Sequence, residues 1–311
     1  MGRTPAGDAA VIGGYAREDG VGGRVRAESE PGRRAGERRK AGGRMHAAAT
    51  LTDRYTEVKQ RIDDALARSG RRGERVLTVA VTKYADPEQV RALVDMGHRD
   101  LGENRVQHLL QRVAMLDEHM ARRRVLGRTL ASRETGGVGG DEPIRWHMIG
   151  HVQRNKAKKA VELCRLIHTV DSLRLAEDLH AIGAKQDRAI DVLVQVNVSG
   201  EESKSGCLLP AARALCEQID TMVGLRVRGL MTMAPYSDNP EDARPHFARL
   251  RDLLEDVQKA GVGEGKCNLL SMGMSGDYEV AIEEGANIVR VGSALFGPRE
   301  HTVEDDEGDD D

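Results

Sequence analysis

Between residues 50 and 300, short apolar bursts alternate with longer stretches whose apolar positions are spaced for amphipathic helices. Eight bursts predict strands: 76–81, 99–103, 144–150, 165–171, 190–198, 225–233, 267–273 and 287–297. Several are unbroken runs of Val, Ile and Leu, the pattern of strands covered on both faces in a parallel sheet. The helices between them show in their punctuation. Asp86-Pro87 opens one and Gly97 ends it, Ser172 opens another that Gly183 closes, and a third begins at 208–210 ahead of Gly224. An additional helix over 51–69 precedes the first strand.

Eight βα units within about 250 residues match a single (β/α)8 barrel of the TIM type in count and size. An open doubly wound sheet is the rival reading, and periodicity alone does not separate the two. The polar stretch ASRETGGVGGDEP (131–143) reads as a loop insertion ahead of the third strand.

Composition and charge then set off the two ends. Residues 1–47 are rich in Gly and Arg and lack periodic apolar positions, so they predict a disordered extension. The tail 300–311 carries eight acids and predicts a second disordered, self-repelling end. That leaves 48–299 as the folded domain, with Met45 an alternative start. Ten basic and six acidic residues give 1–45 a charge of +4; subtracting both ends from the total of −3 leaves 46–299 at +1. A nearly neutral body gives no electrostatic case for nucleic acid. No apolar run is long enough to span a membrane and no secretory signal opens the chain. Cys164, Cys207, Cys216 and Cys267 lie far apart without metal-ligand spacing, so they read as reduced core thiols of a cytoplasmic protein that holds no metal.

Chemistry in such barrels gathers at the C-terminal ends of strands, with phosphate often held after the last two. Lys83 falls two residues beyond the first strand, where a low-dielectric mouth would turn an amine into a nucleophile for aldehydes. Position alone leaves it equally open to being a solvated loop lysine. After the seventh strand comes SMGMSGD (271–277), and after the eighth Gly292-Ser293 follows Arg290. Each turn taken singly is an ordinary one; together at adjacent strand ends they form a candidate phosphate cup. Asn104, His147, His151, Asn197 and Ser199 also fall at strand ends and receive no catalytic role. Met231, Met233, Met272 and Met274 read as gap-fillers, with Met272 the candidate for touching a flat ring.

The ordered segments AVTKYADPEQVRALVDMGHRDLGENRVQ (80–107), WHMIGHVQRNK (146–156), HTVDS (168–172), VLVQVNVSGEESKSG (192–206), LRVRGLMTMAP (225–235) and LSMGMSGDYEVAIEEGANIVRVGSALFGPR (270–299) closely resemble the pyridoxal phosphate homeostasis proteins. The resemblance implies a barrel like the N-terminal domain of alanine racemase, with pyridoxal 5'-phosphate (PLP) in a Schiff base on Lys83. It implies that Ser275, Gly292 and Ser293 hold the phosphate, that Arg290 faces the pyridine nitrogen, and that Asn104 and Met272 line the pocket. Departures are mild: Ser293 stands where threonine is common, and His151 and Arg154 replace commoner residues.

An arginine facing the ring nitrogen keeps it neutral and weakens the cofactor as an electron sink. By the resemblance, racemases of this fold draw a second base from a further C-terminal domain, and this chain ends after its eighth strand. The expectation is therefore a monomeric, non-enzymatic PLP carrier or buffer with no catalytic residues, handing the cofactor to apo-enzymes. The alternatives are an amino-acid racemase or related enzyme, and, more distantly, an RNA-binding protein acting through the arginine-rich arm.

Overall fold

The computed structural model describes residues 49–131, 142–201 and 204–298. The expected extension 1–47, the tail 300–311 and most of the insertion 131–143 lie outside the described residues.

All eight expected strands are present, and they close into a parallel barrel. In chain order they are β1 (Leu77–Val81), β2 (Asp100–Glu103), β3 (Arg145–Met148), β4 (Cys164–Val170), β5 (Ile190–Asn197), β7 (Leu225–Met231), β8 (Leu269–Ser271) and β9 (Ile288–Val291). A two-residue strand, β6 (Cys207–Leu208), pairs only with the end of β5 and was not expected from the sequence. The hydrogen-bonded order β4-β3-β2-β1-β9-β8-β7-β5 is closed by a β4–β5 pairing, so the open-sheet alternative is excluded.

Strand alternation produces two separate apolar regions. Val79, Leu166, Leu193, Met231 and Ile288, one from each of five strands, form a small inner cluster. The intervening positions, such as Ala80, Leu101, Val192 and Val289, face the helices in one continuous outer core. Tyr278 and Phe247 supply the largest wholly buried side chains of that layer, which also holds the buried Trp146 and is otherwise mainly aliphatic.

The helices begin where the punctuation places them. Leu51–Arg68 is opened by a capping box between Thr50 and Asp53, a device that contributes about 1 kcal/mol. Asp86 caps Pro87–Asp95 and Ser172 caps Leu173–Lys185. Two expectations are corrected. Gly183 does not end its helix, which continues to Lys185; a Cβ there would stand 2.3 Å from the Gly224 carbonyl oxygen, so glycine serves close packing between helix and turn. The last burst is strand only over Ile288–Val291, because the backbone turns at Gly292 into a short helix, Ser293–Phe296.

Helix Leu51–Arg68 joins the two ends of the barrel sequence. Arg54 donates to the carbonyls of Leu295 (2.7 Å) and Phe296 (3.3 Å), while Arg61 and Arg68 pair with Glu279 and Glu283. The elements after β8 and β9 are thereby fixed from outside.

Candidate functional site

Register brings Lys83, Asn104, Gly292 and Ser293 to one end of the barrel. Val81 of β1 stands beside Gly102 of β2, so the next two residues on each strand, ending at Lys83 and Asn104, leave the barrel side by side. On the other flank Val79 pairs with Arg290 and Ala80 with Val291, which carries Gly292 and Ser293 alongside the β1 exit. Lys83, Gly292 and Ser293 accordingly line one cavity of about 830 Å³, together with Tyr84, His108 and Arg112.

Lys83 is half-buried. Its Nζ lies 4.7 Å from the centre of the Tyr84 ring, a cation–π distance, and has no hydrogen-bond or ion-pair partner among the described residues. Behind it is a buried polar group that sequence reasoning did not single out. Thr82 donates to Glu103 Oε1 at 2.5 Å, and Arg112 Nε lies 3.7 Å from the same oxygen. Burial pushes the Glu103 carboxyl up, against the opposing effects of the Thr82 hydroxyl and the charges of Arg112 and Lys83. Glu103 Oε2 has no hydrogen-bond partner among the described residues.

The two glycine-serine turns meet through one oxygen. Ser275 Oγ, in the loop after β8, accepts the backbone N–H groups of Gly292 at 3.1 Å and Ala294 at 3.2 Å, at the turn from β9 into the short helix Ser293–Phe296. The turn before it needs glycine: Gly273 has φ +91°, and a Cβ there would lie 2.6 Å from that of Ala281. Two main-chain donors thus converge on a single oxygen, with the exposed Ser293 between them in sequence, and the turn is a candidate anion cradle.

Arg290 lies inside the barrel and is 3% exposed. Its NH1 donates to Ser271 Oγ at 2.7 Å and its NH2 to the Thr232 carbonyl at 2.8 Å. Burial lowers its pKa to about 10, with Asp277 acting in the opposite direction. Asn104 begins the loop after β2 and borders a neighbouring cavity of about 540 Å³ with His108, Gly150 and His151; its Oδ1 is buried without a hydrogen-bond partner among the described residues. Met272 occupies a different layer. It is wholly buried in the outer core between strands and helices, and it borders neither cavity.

The cysteines carry no pairing: Cys164, Cys216 and Cys267 are buried, Cys207 is half-buried, and all four are free. Among the described residues no group of His, Cys, Asp or Glu could hold a metal ion, and no helix is long and apolar enough to cross a membrane.

The alanine racemase N-terminal domain model matches residues 85–300. A pyridoxal phosphate homeostasis protein of Aquifex aeolicus is 37% identical over 251 residues, 80% of this chain and 98% of its own. One from Pseudomonas aeruginosa is 36% identical over 253 residues, covering 81% and 97%. Among solved structures, PipY of Synechococcus elongatus with PLP bound superposes with a TM-score of 0.62 at 29% identity, over 80% of this chain and all of that one.

Proposed function

The chain belongs to the alanine racemase N-terminal-domain family, and within it to the pyridoxal phosphate homeostasis proteins, and from that premise we propose that it binds PLP covalently through Lys83 and carries or buffers it. The observation that carries this reading is the shared cavity of about 830 Å³, lined both by a half-buried amine that has no hydrogen-bonding partner among the described residues and by the Gly292-Ser293 turn. An amine and an anion cradle in one cavity are the two groups an aldehyde phosphate requires.

The residues fit the cofactor in kind. Ser275, Gly292 and Ser293 would hold the phosphate, since Ser275 Oγ already marks a point on which two main-chain N–H groups converge. Asn104 would serve the pocket from the β2 loop with its unpaired Oδ1, and Met272 would support the cup from the layer behind. PLP, when bound, supplies an aldehyde that condenses with the lysine amine and a ring that withdraws electrons. Arg290 would face the ring nitrogen. A buried guanidinium there, rather than a carboxylate, disfavours protonation of that nitrogen and so weakens carbanion chemistry. This favours a carrier without robust turnover over a racemase. Four free cysteines suit a reducing compartment such as the cytoplasm. Apo-forms of PLP enzymes would be the recipients, and the carrier would act as a monomer.

Borohydride reduction of the yellow, loaded protein followed by peptide mass mapping tests the attachment. The mass increment is expected on Lys83, and its appearance on another lysine would overturn the assignment. Chiral analysis after incubation with L-alanine tests the rest: rapid racemisation near neutral pH would replace the carrier with an enzyme.

A further inference from the structure

Within the barrel lumen runs a row of polar side chains, of which the cofactor reading uses only Arg290. Asp100 on β2, His147 on β3, His168 on β4, Ser271 on β8 and Arg290 on β9 are all buried. They form one unbroken chain of contacts. Asp100 Oδ1 is 3.2 Å from His147 Nε2, His147 Nδ1 is 2.9 Å from His168 Nε2, His168 Nδ1 is 2.9 Å from Ser271 Oγ, and Ser271 Oγ accepts from Arg290 at 2.7 Å. The link from β4 to β8 crosses the lumen, because β5 and β7 stand between those strands in the sheet.

The two ends set the direction of every bond. Arg290 can only donate, and the Asp100 carboxylate can only accept. Arg145 donates to both oxygens of Asp100, at 2.8 and 2.7 Å, which holds that carboxyl in its charged form. His147 Nε2 must therefore carry a hydrogen. With both imidazoles neutral, His147 Nδ1 is an acceptor, so His168 Nε2 donates to it. His168 Nδ1 is then an acceptor too, and the Ser271 hydroxyl donates to it. That leaves the lone pairs of Ser271 Oγ for Arg290. One assignment satisfies all four links, and every dipole points its negative end towards the guanidinium. Such alignment matters because, among the described residues, Arg290 is hydrogen-bonded to a hydroxyl and a carbonyl and to no carboxylate.

Resting on the cofactor reading above, we infer that Asp100, His147 and His168 are positioning residues for the PLP pocket, which act through Ser271 to hold the Arg290 guanidinium in one orientation against the ring. The full burial of His168 also favours its neutral form, an effect to which the charge of the Arg290 guanidinium adds. Protonation of His147 on both nitrogens would require the opposite arrangement. His168 would then donate from Nδ1 to Ser271, and the serine hydrogen would lose its acceptor in the chain.

Two measurements test the inference. In cofactor-free protein labelled with 15N at histidine, at about pH 8 where imidazoles are ordinarily neutral, His147 and His168 are both expected as Nε2–H tautomers with unprotonated Nδ1. A protonated His168 Nδ1 would reverse the chain and overturn the inference. In loaded protein, His168→Leu is expected to move the pH midpoint of the visible absorption band by about one unit, the size of shift produced by displacing a nearby charge. His168→Gln, which offers an acceptor to Ser271 and a donor to His147, is expected to restore the wild-type midpoint. A His168→Leu midpoint equal to wild type would also overturn the positioning role, and the tautomer measurement decides the matter if that variant does not fold. Wild-type protein that never acquires the band would sink the cofactor reading itself, a failure distinct from wrong tautomers in protein that does.

Discussion

The Thr82 hydroxyl donates to the Glu103 carboxylate at 2.5 Å, and neither side chain has any exposed surface. Thr82 immediately precedes Lys83, so this bond fixes the backbone from which the amine projects. Glu103→Ala would leave the hydroxyl without its carboxylate acceptor and the half-buried Arg112 without its carboxylate, and is expected to destabilise the protein by about 3 kcal/mol. Glu103→Gln keeps an acceptor for Thr82 and should cost about 1 kcal/mol. Urea unfolding of the three proteins checks the order. Equal losses for Ala and Gln would show that the hydrogen bond to Thr82 contributes nothing.

Ser275→Ala removes the oxygen on which the Gly292 and Ala294 N–H groups converge. The two loops are also fixed by the arginines of helix Leu51–Arg68, so the fold should survive with a loss of about 1 kcal/mol. Affinity for PLP is expected to fall about tenfold or more, and affinity for pyridoxal without its phosphate to change little. Fluorescence titration with the two ligands separates them. Equal weakening for both would place the cradle away from the phosphate.

The barrel was legible because its signal is repetitive: eight apolar bursts, with caps such as Asp86 and Ser172 between them, each reinforce the same reading. The site was legible only in part. Lys83, Gly292 and Ser293 could be placed by distance from a strand end, which is a property of the chain. The lumen chain could not, since His147, His168, Ser271 and Arg290 lie far apart in sequence and meet only when β4 faces β8 and β9 across the lumen. The available signal was a polar residue interrupting a strand that is otherwise apolar, as His168 does in LIHTV. Polar residues were instead read at strand ends only. Met272 shows the reverse difficulty, because adjacency in sequence to the cup says nothing of which side of β8 a residue faces; alternation places Ser271 inward and Met272 in the outer layer.

Gly150, two residues past β3, presses on the Asn104 loop so closely that a Cβ would lie 2.1 Å from the Asn104 carbonyl oxygen. The obstacle is backbone, which cannot rotate away as a side chain can. Gly150→Ala is therefore expected to cost about 2 kcal/mol of stability and to displace Asn104. If Asn104 serves the pocket, PLP affinity should fall with it; thermal melting and ligand titration of the same variant report the two effects. Reduced stability with unchanged affinity would remove Asn104 from the pocket.

Acid should act on the barrel through Asp100. Burial alone would raise its pKa, but the hydrogen bonds from Arg145 and His147 outweigh that and hold the carboxyl well below the ordinary 3.8. A carboxyl depressed in the folded state contributes stability above the unfolded-state value, and the contribution is lost as pH falls through and below it. Between neutrality and about pH 5 the contribution is fully present; below about pH 4 the unfolded chain takes up a proton that the folded chain refuses, and stability drops. Asp100→Asn is expected to be less stable than wild type by about 2 kcal/mol at neutral pH, because the amide carries no charge and its NH2 group cannot accept one of the two bonds that Arg145 donates. Because asparagine does not titrate, the variant lacks this acid sensitivity, and the two stabilities should converge as pH is lowered towards 3. Urea unfolding at several pH values across that range measures the gap directly. A gap that stays constant from neutral pH down to the acid end would mean that the Asp100 carboxyl is not held in its charged form, and would remove the fixed acceptor from which the direction of the lumen chain is argued.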